Sequence, residues 1–146
     1  MDPTVARLAD ERALIDLTIA YCWALDGRRY DDLDEVFTPD AVGDFGFVRV
    51  QGIDEVKALV ARSLDHLDIS QHIVASHQVQ VDGDTATVRC HLHAQHTKRG
   101  TEGGDNYVIG GFYEDEAVRT PQGWRIARRT LTITWNEGNR AIIGGA

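Results

Sequence analysis

Near residue 72 the hydrophobic period of this chain switches from helical to alternating, and that switch restricts the fold more than any other feature. Upstream, Leu14, Leu17, Tyr21 and Leu25 recur at i, i+3, i+7 and i+11, with Thr18 and Cys22 beside them. This is one apolar face of a helix over 4–26, with Asp2 as N-cap, Pro3 in the first turn and Gly27 at its end. "RYDDLDEVFTPDA" reads as a second helix closed before Pro39, because the residue preceding a proline avoids the α region. "AVGDFGFVRV" reads as a strand, and Gly52 separates it from a third helix, "IDEVKALVARSLDHL". Downstream, "HIVASHQVQV" and "TATVRCHLHAQH" form a hairpin about "DGD" at 82–84. "YVIGGFYEDEAVRT" and "GWRIARRTLTITW" form a second, joined at "PQG". Helices first and long antiparallel strands after them predict an α+β fold. A helix layer covers one face of a curved sheet, and the two enclose a cone whose mouth is a natural small-molecule pocket.

The 146 residues suit one domain spanning 1–146. A formal net charge of −8 argues against nucleic-acid and anionic-membrane partners, which select basic faces. Cys22 and Cys90 lie inside apolar-periodic segments and build no disulfide framework. The polar start "MDPTVARLADER" has no signal-peptide core, and no apolar run approaches membrane-spanning length, so a cytoplasmic setting is expected.

Residues 71–96 hold five of the six histidines, and strand parity sorts them. Ala86, Val88, Cys90, Leu92 and Ala94 alternate strictly, and His96 shares their parity. His96 is therefore expected on the concave face, with Arg89, His91, His93 and Gln95 on the opposite one. In the preceding strand, Val79 and Val81 have one parity and His72, Val74 and Ser76 the other. Both sets point inward only if a bulge lies between Ser76 and Val79, which turns His72 toward the cavity. On the first helix, Asp26 falls at the edge of the apolar arc, between Ile15, Ile19 and Cys22. A carboxylate at a helix C-terminus opposes the macrodipole by ~0.3–1 kcal/mol, and one facing a core must be satisfied by donors. An idle acid is disfavoured there on both counts. Tyr21 shares the broad inner face.

With these residues in place, the chain resembles the SnoaL-like branch of the NTF2-like superfamily, the α+β cone fold. The resemblance rests on "YCWALDGRRYDDLDEVFTPDA", "QHIVASHQVQVDGD" and "GGFYEDEAVRTPQGWRIARRTLTITW" and spans nearly the whole chain. Within that branch it is similar to scytalone dehydratase, bile-acid 7α-dehydratase and hexachlorocyclohexane dehydrochlorinase, which share an Asp–His dyad. Asp26 and His72 match the dyad positions, and Tyr21 matches an assisting polar residue. His96 lies where one relative has a second histidine and another an acid.

The resemblance implies a cofactor-independent lyase, of dehydratase type, or an isomerase acting on a small hydrophobic cyclic substrate. Asp26 would orient His72 as general base, while Tyr21 or His96 donates to the developing oxyanion or leaving group. A non-catalytic ligand-binding or assembly module on the same fold is the alternative. Tyr113, Arg129, Trp135 and Asp44 are further candidates for the cavity wall. No metal is expected, since His91-x-His93 lacks a third ligand of matching parity. A homo-oligomer, dimer or trimer, is expected through the convex sheet face. That face carries Arg89, His91, His93 and Gln95, and Thr130, Thr132 and Thr134 form a row on one face of the last strand.

Overall fold

A computed structural model describes residues 1–144. Helix α1 (Pro3–Asp26) begins where Asp2 Oδ1 accepts from the Thr4 and Val5 amides at 2.7 and 3.4 Å. It closes with the Gly27 amide donating to Trp23 O, after which Arg28 takes a left-handed backbone, φ 56°. A 3-10 turn (Tyr30–Glu35) leads to strands β1 (Phe37–Asp44) and β2 (Arg49–Gln51), then helix α2 (Ile53–Leu64). The long strands follow: β3 (Ile69–Asp82), β4 (Thr85–Thr97), β5 (Asn106–Thr120) and β6 (Gly123–Gly138). A short helix, α3 (Ala141–Gly144), comes last.

The six strands form one curved, unclosed sheet in the order β2-β1-β6-β5-β4-β3. The inward face of β4, from Ala86 to Ala94, meets Leu14, Leu17, Tyr21 and Leu25 of α1 and Val56, Leu59, Val60 and Leu64 of α2 in one buried core. Each such aliphatic side chain contributes about 1.5–3 kcal/mol on burial. The α+β cone expected from the change of period is the architecture observed.

Several local expectations need correction. The second helix is only the 3-10 turn, because Val36 and Phe37 are buried and Phe37 already pairs with Ile126 of β6. Pro39 lies inside β1, where the parallel ladder to β6 is interrupted between Phe37 and Val42; a proline can sit there without losing a ladder bond. The segment read as a single strand over 41–50 is a hairpin, β1–β2, turning at Gly46 with φ 85°. Helix α2 ends at Leu64, three residues short of expectation, and β3 starts before His72, at Ile69.

Three bulges in the long strands decide which residues reach the interior; one of them, at Ala127 between the Ala117–Ile126 and Glu116–Arg128 pairs, lets both Ile126 and Arg129 point inward. In β3 the register to β4 shifts between Ala75 and Gln78, with Ser76 at φ 60°. The bulge that parity demanded is present but lies earlier than expected: Ser76 is exposed and His77, 2.8 Å from Thr18 Oγ1, takes the inward place, so that His72 and Val79 both point inward. The third, like that at Ala127, was not foreseen. Gly110 pairs with Trp135 and Gly111 with Ile133, leaving Thr134 unpaired between them. Leu131 and Ile133 therefore face the cavity, whereas Trp135 is thrown onto the convex face over Gly110, where a Cβ would lie 1.9 Å from its ring. The threonine row is interrupted at the same point.

Candidate active site

A cavity of about 380 Å³ opens between the two helices and the concave sheet. Its wall is mostly apolar, with His72, His96, Tyr21 and Tyr113 as convergent polar groups. That size lies at the low end for ligand sites and suits a small substrate.

The end of α1 supplies the acid. Asp26 Oδ1 lies 2.6 Å from His72 Nδ1 and accepts from Ser70 Oγ at 3.0 Å, while Oδ2 accepts the His72 backbone amide at 2.8 Å. Arg28 Nη1 donates to Ser70 Oγ at 2.7 Å and to Leu25 O at 2.8 Å, tying the helix end to β3. Burial pushes the Asp26 carboxyl up, but the His72 side-chain and backbone hydrogen bonds, the charge of His72 and the Ser70 hydroxyl outweigh it. The net result is a carboxyl held below its usual value, and thus ionised. An acceptor-only carboxylate requires the proton of neutral His72 on Nδ1, which leaves the Nε2 lone pair for the cavity this residue lines. The His72 side chain is only 6% exposed.

His96 faces His72 across the cavity, with ring centroids 6.1 Å apart. Its Nδ1 donates to Tyr107 O at 3.1 Å. Burial, then the charge of His72, pushes its pKa down to about 4, so the ring is neutral with its proton on Nδ1. The cavity-side nitrogen is therefore an acceptor, and the donor role expected of His96 does not fit this tautomer. The tyrosines can carry that role. Burial raises the Tyr21 and Tyr113 hydroxyls despite the nearby Arg129 charge, so both stay protonated.

Of the further candidates, Tyr113 lines the cavity and Arg129, Trp135 and Asp44 do not. Arg129 is fully buried behind the tyrosines, its guanidinium 4.3 Å from the Tyr21 ring centroid and 3.8 Å from that of Tyr113. Its Nε and Nη2 each donate to an Asp115 carboxylate oxygen at 2.8 Å. Trp135 sits against His93 on the convex face, and Asp44 lies 3.8 Å from Arg128. Residues missed by the sequence reading include Ser70, Arg28, Asp115 and the wall residues Phe45, Phe47 and Ile143. An inward acid at 115 opposite an arginine at 129 was a parity signal that could have been found. Among the described residues no three His, Cys, Asp or Glu side chains gather to hold a metal ion. No helix there is long and apolar enough to cross a membrane.

Comparison with known proteins agrees with this architecture. The uncharacterized protein Rv2910c of Mycobacterium tuberculosis is 37% identical over 133 residues, 88% of each chain. The crystal structure of Kfla4162 from Kribbella flavida matches with a TM-score of 0.87 at 28% identity, covering 96% of this chain and 99% of that one. The hexachlorocyclohexane dehydrochlorinase LinA-type3 of Novosphingobium barchaimii shares the fold at a TM-score of 0.82 and 18% identity, over 95% and 96% of the two chains. Residues 6–130 match the SnoaL-like domain, and the chain belongs to that family, a branch of the NTF2-like superfamily.

Proposed function

We propose that the chain is a cofactor-independent lyase or isomerase in which His72, oriented by Asp26, removes a proton from a small, largely apolar cyclic substrate. The observation that carries this reading is the 2.6 Å contact between Asp26 Oδ1 and His72 Nδ1 at the edge of an apolar cavity. The carboxylate fixes the tautomer and offsets the imidazolium charge that forms when Nε2 takes the proton. The electron pair left on carbon then moves to a neighbouring carbonyl oxygen, or expels a leaving group from the adjacent carbon. Tyr21 or Tyr113 donates a hydrogen bond to the oxygen that gains charge, and His96 accepts one from a substrate hydroxyl. A hexachlorocyclohexane dehydrochlorinase shares this fold, and the loss of HCl that its name describes is an elimination of the kind proposed.

The test needs no knowledge of the natural substrate. A panel of cyclic ketones is incubated with the protein in D2O, and deuterium incorporation is followed by NMR. Incorporation well above that given by His72→Ala is the expected outcome. A binding module has no reason to catalyse exchange. Equal incorporation by wild type and a well-folded His72→Ala variant would remove His72 from the mechanism.

A further inference from the structure

The turn that ends α1 carries an arginine where a glycine would sit without strain. Arg28 adopts φ 56°, the left-handed region that a residue with a Cβ enters at a cost. Such strain persists where surrounding contacts hold it in place, and here the guanidinium supplies them. Its Nη1 reaches back over the last turn of α1 to Leu25 O at 2.8 Å and across to Ser70 Oγ of β3 at 2.7 Å. Ser70, buried at 6% exposure, in turn donates to Asp26 Oδ1 at 3.0 Å. A guanidinium only donates, so the serine oxygen accepts from Arg28 and its own proton is free for the carboxylate. Ser70 and His72 stand two apart on β3 and share its inward face. One carboxylate oxygen, Oδ1, therefore meets both the relay from Arg28 and the Nδ1 proton of His72.

We propose that Arg28 and Ser70 are positioning residues of the dyad: through Asp26 they hold His72 neutral, with its proton on Nδ1, until it takes a proton from substrate. The proposal rests on the reading of His72 as the base. Asp26 is the last residue of a helix whose final turn holds no basic residue, so the negative end of the macrodipole acts on the carboxylate unopposed from within the helix. Arg28, just past that end, is the cation that offsets it, and it satisfies one of the terminal carbonyls as well. Asp26 meets this charge only through Ser70, since Oδ1 takes Ser70 and His72 Nδ1, and Oδ2 takes the His72 amide. A guanidinium set directly on the carboxylate would occupy, in fork geometry, the two oxygens that His72 needs. The interposed hydroxyl leaves both to the base and keeps a positive charge close behind them.

That charge opposes the imidazolium that forms on His72. Asp26 raises the basicity of the ring and Arg28 limits the rise, so that the ring is not already protonated when substrate arrives. The other groups facing His72 do not take this part. His96 of β4 is neutral, and Tyr21 and Tyr113 stay protonated. Arg140 lines the cavity but has no hydrogen bond to the dyad.

Arg28→Gln, Arg28→Lys and Ser70→Ala test this in the full chain, each first shown to melt cooperatively. Deuterium exchange into the cyclic ketones is followed from about pH 5 to about pH 9, the range in which imidazoles titrate. A nitrogen-15 NMR titration of the His72 ring covers the same range with no substrate present. In Arg28→Gln the acid limb of exchange and the ring titration are expected to move together toward higher pH by about half a unit or more, about a threefold loss of exchange on the acid side. Ser70→Ala, which strips one donor from Oδ1, should move both the same way. Arg28→Lys should return them to wild type, because a single nitrogen, Nη1, makes both native bonds and an ammonium can replace it. Residues that only brace the helix end would lower exchange equally at every pH and leave the ring titration where it was. That result, or an Arg28→Lys profile no closer to wild type than that of Arg28→Gln, would overturn the proposal. Exchange in His72→Ala equal to wild type would sink the reading of His72 as base, whereas an unchanged Arg28→Gln profile beside an inactive His72→Ala sinks this proposal alone.

Discussion

Replacing Asp26 by asparagine keeps the shape of the side chain and, once the amide oxygen takes the Oδ2 place, inverts the two hydrogen bonds that Oδ1 accepts, from His72 Nδ1 and from Ser70 Oγ, whose hydroxyl can rotate to accept instead. The His72 backbone amide, 2.8 Å from Oδ2, is an obligate donor, so the amide oxygen of the new residue must serve it. The NH2 group is then forced toward His72 Nδ1, which in the native chain lies 2.6 Å from Oδ1. Two donors cannot face each other, so the ring gives up its Nδ1 proton and carries it on Nε2. The lone pair moves away from the cavity and the base is lost without disturbing the packing. In the Ser-His-Asp enzymes an equivalent wrong-tautomer change costs ~10⁴ in rate, and loss of a general base elsewhere ~10²–10⁴. We expect a fall of ~10³–10⁴ in exchange, about 4–5.5 kcal/mol of barrier. The Asp26→Asn fold should survive, with at most about 1–3 kcal/mol lost with the charge-assisted bonds. Nitrogen-15 NMR of the imidazole ring reads the tautomer directly, with no substrate present. Wild-type His72 found protonated on Nε2, or exchange in Asp26→Asn within a few-fold of wild type, would refute the reasoning.

Arg129→Met should destabilise the chain by about 3–5 kcal/mol, because it strands the fully buried Asp115 carboxylate; Arg129→Met with Asp115→Leu should recover most of that loss in urea melts. His96 binds its proton less readily in the fold (about 4) than unfolded (6.5), so its contribution is complete above pH 6.5 and is lost as pH falls toward 4. That is about 3 kcal/mol, and His96→Gln should flatten stability over this window in a pH series of urea melts. Asp26, held below its usual value of 3.8, contributes above 3.8 and loses its contribution only at lower pH, so its effect separates from that of His96. Exhaustive dialysis against a chelator should leave melting temperature and exchange activity unchanged; stoichiometric zinc or iron lost together with activity would argue for metal chemistry instead.

The sequence alone determined whatever depends on local periodicity. Alternation through β4 placed His96 on the inner face, and conflicting parities in β3 required the bulge that turns His72 inward. The helical arc put Asp26 at the edge of the core, because 3.6 residues per turn is a property of the backbone and not of its surroundings. The tertiary structure decided what depends on partners distant in sequence. Parallel pairing of β1 with β6 drew Phe37 out of the expected helix, since hydrogen bonding to a strand some ninety residues away outweighed a local preference. An unpaired Thr134 reversed Trp135, and pairing with Asp115 drew Arg129 away from the cavity wall. A buried guanidinium and a buried carboxylate must find each other, and parity along one strand says which face each occupies but not what stands opposite. Ser70 and Arg28 joined the dyad for the same reason. Their roles exist only once the end of α1 is docked against β3, where Asp26 closes a 2.6 Å contact across 46 residues of chain.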